Sequence, residues 1–186
     1  MIIGMIVKSS LPHLLNFVYH GPVKQVFLLY EPPPSLNEND LIYFSSRVEF
    51  IRNRRKREYK LGILARAEFV LSEEVKCFHR KNISKSAYAA LVESEINRLL
   101  SKYPPSKFGW HTLGPPSYKD LRRFFFNRKF KGVRGLFVFK NIRPVYIKYE
   151  KVYETLKMDI HPAGKSYIYL NKVQVEAIER LLSKFK

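Results

Sequence analysis

Hydrophobic residues open the chain as an unbroken run: residues 2–8 are apolar or β-branched on both faces, the pattern of a strand buried on each side. Ser10 stands where a cap is needed for a helix over residues 12–19. There Leu14, Leu15, Val18 and Tyr19 follow helical spacing, and Gly21 supplies the stop. Residues 25–30 predict a second strand, ended by Pro32-Pro33-Pro34 because proline donates nothing to a ladder. A polar turn at 37–40 precedes a third strand that begins at Leu41. Residues 61–71 read as one long strand in which Gly62 permits a bend or bulge.

The clearest helix covers 84–102. Ala87, Tyr88, Leu91, Val92, Ile96, Leu99 and Leu100 form its apolar stripe, and Pro104-Pro105 ends it. Residues 103–117 hold several Pro and Gly with Phe108, Trp110 and His111, a structured loop. A short basic helix follows at 118–127, then strands at 136–139, 145–149 and 167–170. Asn171-x-x-Gln174 is a capping box for the closing helix, which Val175, Ile178, Leu181 and Leu182 line on one side. There is no repeat and no low-complexity tract. Many short strands at the two ends with helices between them predict an α+β fold, a small mixed β-barrel with helices packed around it.

Charge changes the picture more than any motif. Thirty-four Lys+Arg face sixteen Asp+Glu, a formal net charge of +18. That excess repels itself in a compact molecule and asks for an anionic partner. Its densest point is the run Arg52-Asn53-Arg54-Arg55-Lys56-Arg57, expected as a loop between two strands. Phosphate backbones suit such a run, since contacts to them release counterions and need no base readout. No basic amphipathic helix with a clean apolar face offers itself to a membrane surface, and no stretch approaches the roughly 20 apolar residues of a spanning helix. The single cysteine, Cys77, excludes an internal disulfide and a Cys-rich zinc site and suits a reducing compartment, so a soluble cytoplasmic protein is expected.

Candidate chemistry is sparse. His13, His20, His79, His111 and His161 are scattered without ligand spacing, so no metal is expected. Gly132-Val133-Arg134-Gly135 matches no phosphate-cradling fingerprint, and Ser45 and Ser46 have no evident triad partners, so neither cofactor nor catalytic triad is assigned. Phe124-Phe125-Phe126 turns around the basic helix, which puts a ring beside Arg122, Arg123 and Arg128 either to seal the helix or to stack on a base. Trp110, the lone tryptophan, lies in a Gly/Pro-rich loop and is a recognition candidate for that reason.

Four stretches in order carry a resemblance to a known family. They are Ile2-Ile3-Gly4 with the turn His20-Gly21-Pro22-Val23-Lys24, the strand Asn39-Asp40-Leu41-Ile42-Tyr43-Phe44-Ser45, the strand Leu61-Gly62-Ile63-Leu64-Ala65-Arg66-Ala67-Glu68, and the ending from Phe139-Lys140-Asn141-Ile142 through Tyr167-Ile168-Tyr169-Leu170. Together they resemble the PUA-like superfamily, and within it the ASCH and EVE branches. The resemblance implies one PUA-like domain over 1–186, with a helical insertion at 76–135. It also implies a non-catalytic nucleic-acid-binding protein, RNA being favoured over DNA, that accepts an unpaired or modified base. Tyr43, Ser45, Trp110 and His111 would line the base pocket. Arg47, Arg52, Arg54, Arg55, Lys56, Arg57, Arg122, Arg123, Lys129 and Lys131 would hold phosphates. The alternative is a nucleoside or RNA hydrolase of the ASCH type using Lys24 and Glu68, although Phe27 stands where such members carry a threonine.

Overall fold

Strand-forming sequence dominates the computed structural model, which describes residues 1–20, 23–52, 55–78, 83–110, 118–125 and 134–184. Along the chain these are β1 (Ile2–Lys8), α1 (Leu11–His20), β2 (Gln25–Leu29), β3 (Leu41–Arg52), β4 (Arg55–Val75), α2 (Lys85–Lys102), β5 (Gly109–Trp110), α3 (Tyr118–Phe125), β6 (Arg134–Lys148), α4 (Tyr149–Leu156), β7 (Tyr167–Asn171) and α5 (Lys172–Ser183). The strands join one seven-stranded mixed sheet in the order β5-β2-β6-β4-β3-β1-β7. β1 runs parallel to β3 and β2 parallel to β5, and the other ladders are antiparallel. The α+β class is as expected, but the barrel is not: among the described residues no ladder joins β5 to β7, so the sheet is open.

Both faces of the sheet are covered, which explains the continuous apolar runs. One face carries a cluster rich in phenylalanine, with Phe17 of α1 set against Phe27, Phe44, Phe69, Phe137 and Phe139. The Phe17 and Phe139 rings meet edge to face at 5.1 Å, and Phe27 and Phe137 stack at 5.1 Å. The other face splits into two. Val26, Leu28, Leu136 and Val138 receive α2 and α3 through Val92, Ile96, Leu99 and Leu121. Ile6, Tyr43, Ile63 and Ile147 receive α4 and α5 through Val152, Val175, Ile178 and Leu181. Alternate residues along β6 therefore serve opposite cores, the period-two rule applied to a strand buried on both sides.

Three local expectations change. The strands foreseen at 136–139 and 145–149 are one strand, β6, kinked where Asn141 adopts φ 55° and Pro144 interrupts donation. Tyr149, foreseen as the end of a strand, begins α4, which stops at left-handed Lys157. Arg52, Arg55, Lys56 and Arg57 of the basic run are strand rather than loop: β3 and β4 stay paired through Ile51 with Lys56 and Arg52 with Arg55. The capping box at α5 is present, with Asn171 Oδ1 accepting from Gln174 N at 3.0 Å and Asn171 N donating to Gln174 Oε1 at 2.9 Å.

Gly62 decides where this hairpin leaves the sheet. The β3–β4 register slips between Phe44 and Ser45 and again between Ser46 and Arg47, so Leu64 and Leu61 are extra residues on β4. Two bulges so close together bend a strand and increase its twist. Gly62, between them, has φ 101°, and a Cβ there would lie 2.1 Å from the Ile147 carbonyl oxygen. Gly62→Ala should therefore destabilise the protein by more than the ~1–3 kcal/mol that a strained backbone conformation costs by itself. A denaturant midpoint no lower than that of the parent protein would contradict this.

Candidate nucleic-acid interface

Beyond Gly62 the hairpin leaves the sheet. The β4–β6 ladder reaches only Gly62 and Lys148, and the β1–β3 ladder ends at Lys8 and Ser45. Residues 47–52 and 55–60 pair with each other and, among the described residues, with no further strand. This two-stranded arm is about 20 Å long at the usual rise per residue. Residues 47–60 hold seven basic and two acidic residues. Arg57 is exposed, and so is Tyr59, which stands opposite exposed Val48. Arg47 at the root is partly neutralised by Glu58 at 2.9 Å and Glu49 at 3.5 Å. Arg52, Arg55 and Lys56 belong to the arm by backbone pairing.

A cavity of about 600 Å³ opens at the root of the arm, lined by Lys8, Ser9, Ser10, Leu11, Pro12, Arg47, Val48, Glu49 and His161. Chain geometry brings these together. Ser9 N donates to the Ser45 carbonyl at 2.9 Å, which carries the β1–β3 pairing one step further before α1 turns away. Pro12 falls in the first turn of α1, where a helix has no use for its missing N–H. Lys8 Nζ donates to the Pro162 carbonyl at 2.7 Å and ties the 159–162 segment over the cavity. Burial, and next the Arg47 guanidinium, lower the pKa of Lys8.

His161 is the unusual member. It is 6% exposed, and neither Nδ1 nor Nε2 has a hydrogen-bond partner among the described residues. The backbone N–H of His161 donates to Asp159 Oδ1 at 2.8 Å. Asp159 is otherwise occupied by Lys60 Nζ at 2.8 Å and the Tyr149 hydroxyl at 3.0 Å. Burial first, then Lys60 and Lys8, hold the imidazole pKa at about 4, against the opposing pull of Asp159 and Glu58. The ring is neutral at neutral pH.

No family model and no curated protein matches the sequence. Solved structures do match in fold. The ASCH protein from Zymomonas mobilis superposes with a TM-score of 0.58 at 12% identity, over 96% of this chain and 95% of that one. A mutant of that protein gives 0.58 at 11% identity, over 96% and 98% of the two chains. The fold is that of an ASCH domain.

This ASCH fold separates several residues that the sequence groups together. Tyr43 is fully buried; its hydroxyl donates to Glu179 Oε1 at 2.7 Å, a carboxylate shared with Arg66 Nε at 2.9 Å. Ser45 is fully buried, with its hydroxyl directed at the Val7 carbonyl at 3.4 Å. Trp110 is enclosed in the cluster beneath α2 and α3, and its Nε1–H donates to the Tyr103 carbonyl at 3.0 Å. Neither face of that indole is open to a base. Arg122 and Arg123 are exposed on α3, at the opposite end of β4 from the arm. Arg54, His111, Lys129 and Lys131 lie outside the described residues.

Lys24 is exposed at the start of β2, where its carbonyl accepts from Gly109 N at 3.0 Å. Glu68 accepts from Asn141 Nδ2 at 2.8 Å, and among the described residues no ion pair joins it to Lys24. Phe27 lies with its ring in the phenylalanine core. Among the described residues no three His, Cys, Asp or Glu side chains are placed to hold a metal, and no helix is long and apolar enough to cross a membrane.

The cavity residues Lys8, Ser9 and His161 escape sequence reasoning. A strand running into Ser9-Ser10-Leu11-Pro12 does announce a helix start, but a lone histidine announces nothing.

Two outcomes follow from this placement. Trp110→Ala should lower stability by ~3–5 kcal/mol in a denaturant titration, as truncation of a buried aromatic does. For His161, the folded pKa of about 4 lies below the ordinary 6.5, so the unfolded chain binds the proton first. Its contribution is complete above pH 6.5 and is lost as pH falls toward 4, at up to about 1.4 kcal/mol per pH unit. Unfolding of the parent protein and of His161→Gln, compared between pH 4 and 7, should show this extra slope in the parent alone.

Proposed function

We propose that this ASCH-fold protein is a non-catalytic nucleic-acid-binding protein whose basic arm grips a phosphate backbone, with RNA carrying unpaired bases as its preferred partner. The observation that carries the reading is the arm itself. The chain extends a two-stranded ribbon past the limits of its sheet and concentrates its cations there. A ribbon without a core of its own contributes little to stability, so its charge is better explained by a ligand than by folding. Tyr59, 56% exposed beside Arg57 and opposite Val48, supplies an aromatic face that a base can cover. Tyr59 thus takes the stacking role that the sequence suggested for Trp110. The reading assigns no reaction to Lys24 and Glu68.

The test separates charge from stacking. Replacing Arg52, Arg55, Lys56 and Arg57 by Ala should weaken binding to every sequence alike and flatten the dependence on salt by about one unit per lost contact. Tyr59→Ala should leave that slope unchanged and remove ~1–3 kcal/mol from single-stranded RNA, with duplexes little affected. Salt-insensitive binding, or none at low salt, would refute the reading. Equal losses on duplex DNA and single-stranded RNA would place the arm in a duplex groove and refute the preference for unpaired bases.

A further inference from the structure

We propose that the cavity at the root of the arm binds a nucleotide by a terminal phosphate group, which Lys8, Arg47, the N-terminus of α1 and His161 receive. The inference rests on the nucleic-acid reading for its substrate class but uses a different set of side chains.

His161 carries the argument. A buried polar group without a partner costs ~1–3 kcal/mol, and a fold keeps such a group when something else satisfies it. Both ring nitrogens of His161 are in that condition, and His161 is one of the residues that line the cavity. Two further features say that the missing partner is an anion. The first turn of the ten-residue helix α1, with Ser9 and Ser10 before it, faces the same space, and a helix N-terminus carries partial positive charge. Lys8 and Arg47 line the cavity against one carboxylate, Glu49, which is itself paired with Arg47 at 3.5 Å. The groups whose charge reaches His161 are Lys60 and Lys8, which disfavour its protonation, and Asp159 and Glu58, which favour it, with the Tyr149 ring 6.0 Å away. A bound phosphate would add negative charge to this set, raise the histidine's proton affinity, and give one ring N–H, turned toward the cavity, an acceptor.

Size and walls extend the inference from phosphate to nucleotide. About 600 Å³ is far more than a phosphate group fills, and Leu11, Pro12 and Val48 provide apolar surface for a sugar and a base. Val48 and Glu49 belong both to the cavity and to the arm, so a strand lying along the arm leads its end into the cavity. A terminal phosphomonoester fits this arrangement better than an internal diester, because the chain need enter only once.

The ring resonances of His161 report on the site directly. Nucleoside 5′- and 3′-monophosphates, inorganic phosphate and unphosphorylated nucleosides would each be titrated against the intact protein. A saturable shift with a nucleoside monophosphate is expected, weaker with inorganic phosphate and absent with nucleosides, and the pKa of His161 should rise by about one unit or more in the complex. Arg47→Ala, on an exposed side chain, and His161→Gln should each reduce affinity about tenfold or more. Thermal melts of both variants establish that they are folded.

No shift with any monophosphate up to about 10 mM would overturn the proposal, since such weak binding leaves no useful free energy. Nucleosides binding as well as monophosphates would overturn it too, because the cavity would then be reading bases rather than phosphate. Oligonucleotides with and without a terminal phosphate distinguish this from the function itself. Equal binding of the two with a motionless His161 sinks the cavity and leaves the arm. Monophosphate binding without any polynucleotide binding supports the cavity and sinks the arm.

Discussion

At Gly62, β4 keeps its hydrogen bonds to β3 while its ladder with β6 ends, and this single break in pairing governs everything beyond it. A left-handed glycine with a carbonyl where a Cβ would sit, and an extra residue on each side of it, turn a strand out of its sheet. The hairpin that leaves is long enough to hold most of a basic hexapeptide in extended form. Its root, with the end of β1 and the start of α1, walls the cavity. Arm and pocket therefore share one structural cause.

The sheet can release that hairpin because its middle is secured on both faces. Phenylalanines from α1, β2, β3, β4 and β6 interlock on one side, and two helix pairs cover the other. At the outer end of α2, Arg98 grips Glu95 at 2.7 Å and Glu73 at 3.1 Å and fastens the helix to β4. Phe27 belongs to this interlocked centre, so the position that the hydrolase resemblance would give to a hydroxyl serves packing here. Glu68 is hydrogen-bonded to Asn141 and Lys24 is exposed, and among the described residues no ion pair joins the two.

Electrostatically the molecule sorts its charges by surroundings. Near the arm's root, basic groups are met by Glu49, Glu58 and Asp159, which keeps the hairpin attached without strong self-repulsion. Toward the tip the sequence holds no Asp or Glu from Phe50 to Arg57, and Arg52, Arg55, Lys56 and Arg57 belong to the ribbon by backbone pairing. His161 sits at the boundary, buried and neutral with its ring nitrogens unsatisfied, where a charged ligand would have the largest effect on its proton.

Strand and helix identity was legible in the sequence wherever a short-range rule decided it. The β1 run, the α2 stripe closed by two prolines, and the Asn171–Gln174 capping box all depend on residues within a few positions of each other. The order of four weak motifs also pointed to the fold. Tertiary structure alone decided the rest. Whether the sheet closes, whether Trp110 faces solvent or core, and whether 55–57 is loop or ribbon depend on long-range pairing that local composition does not encode. Lys8 and His161, 153 positions apart in the chain, meet at one cavity because β1 ends where the segment before β7 crosses it. Single residues carry no mark of such a meeting, since burial and register are properties of the packed sheet and not of the chain.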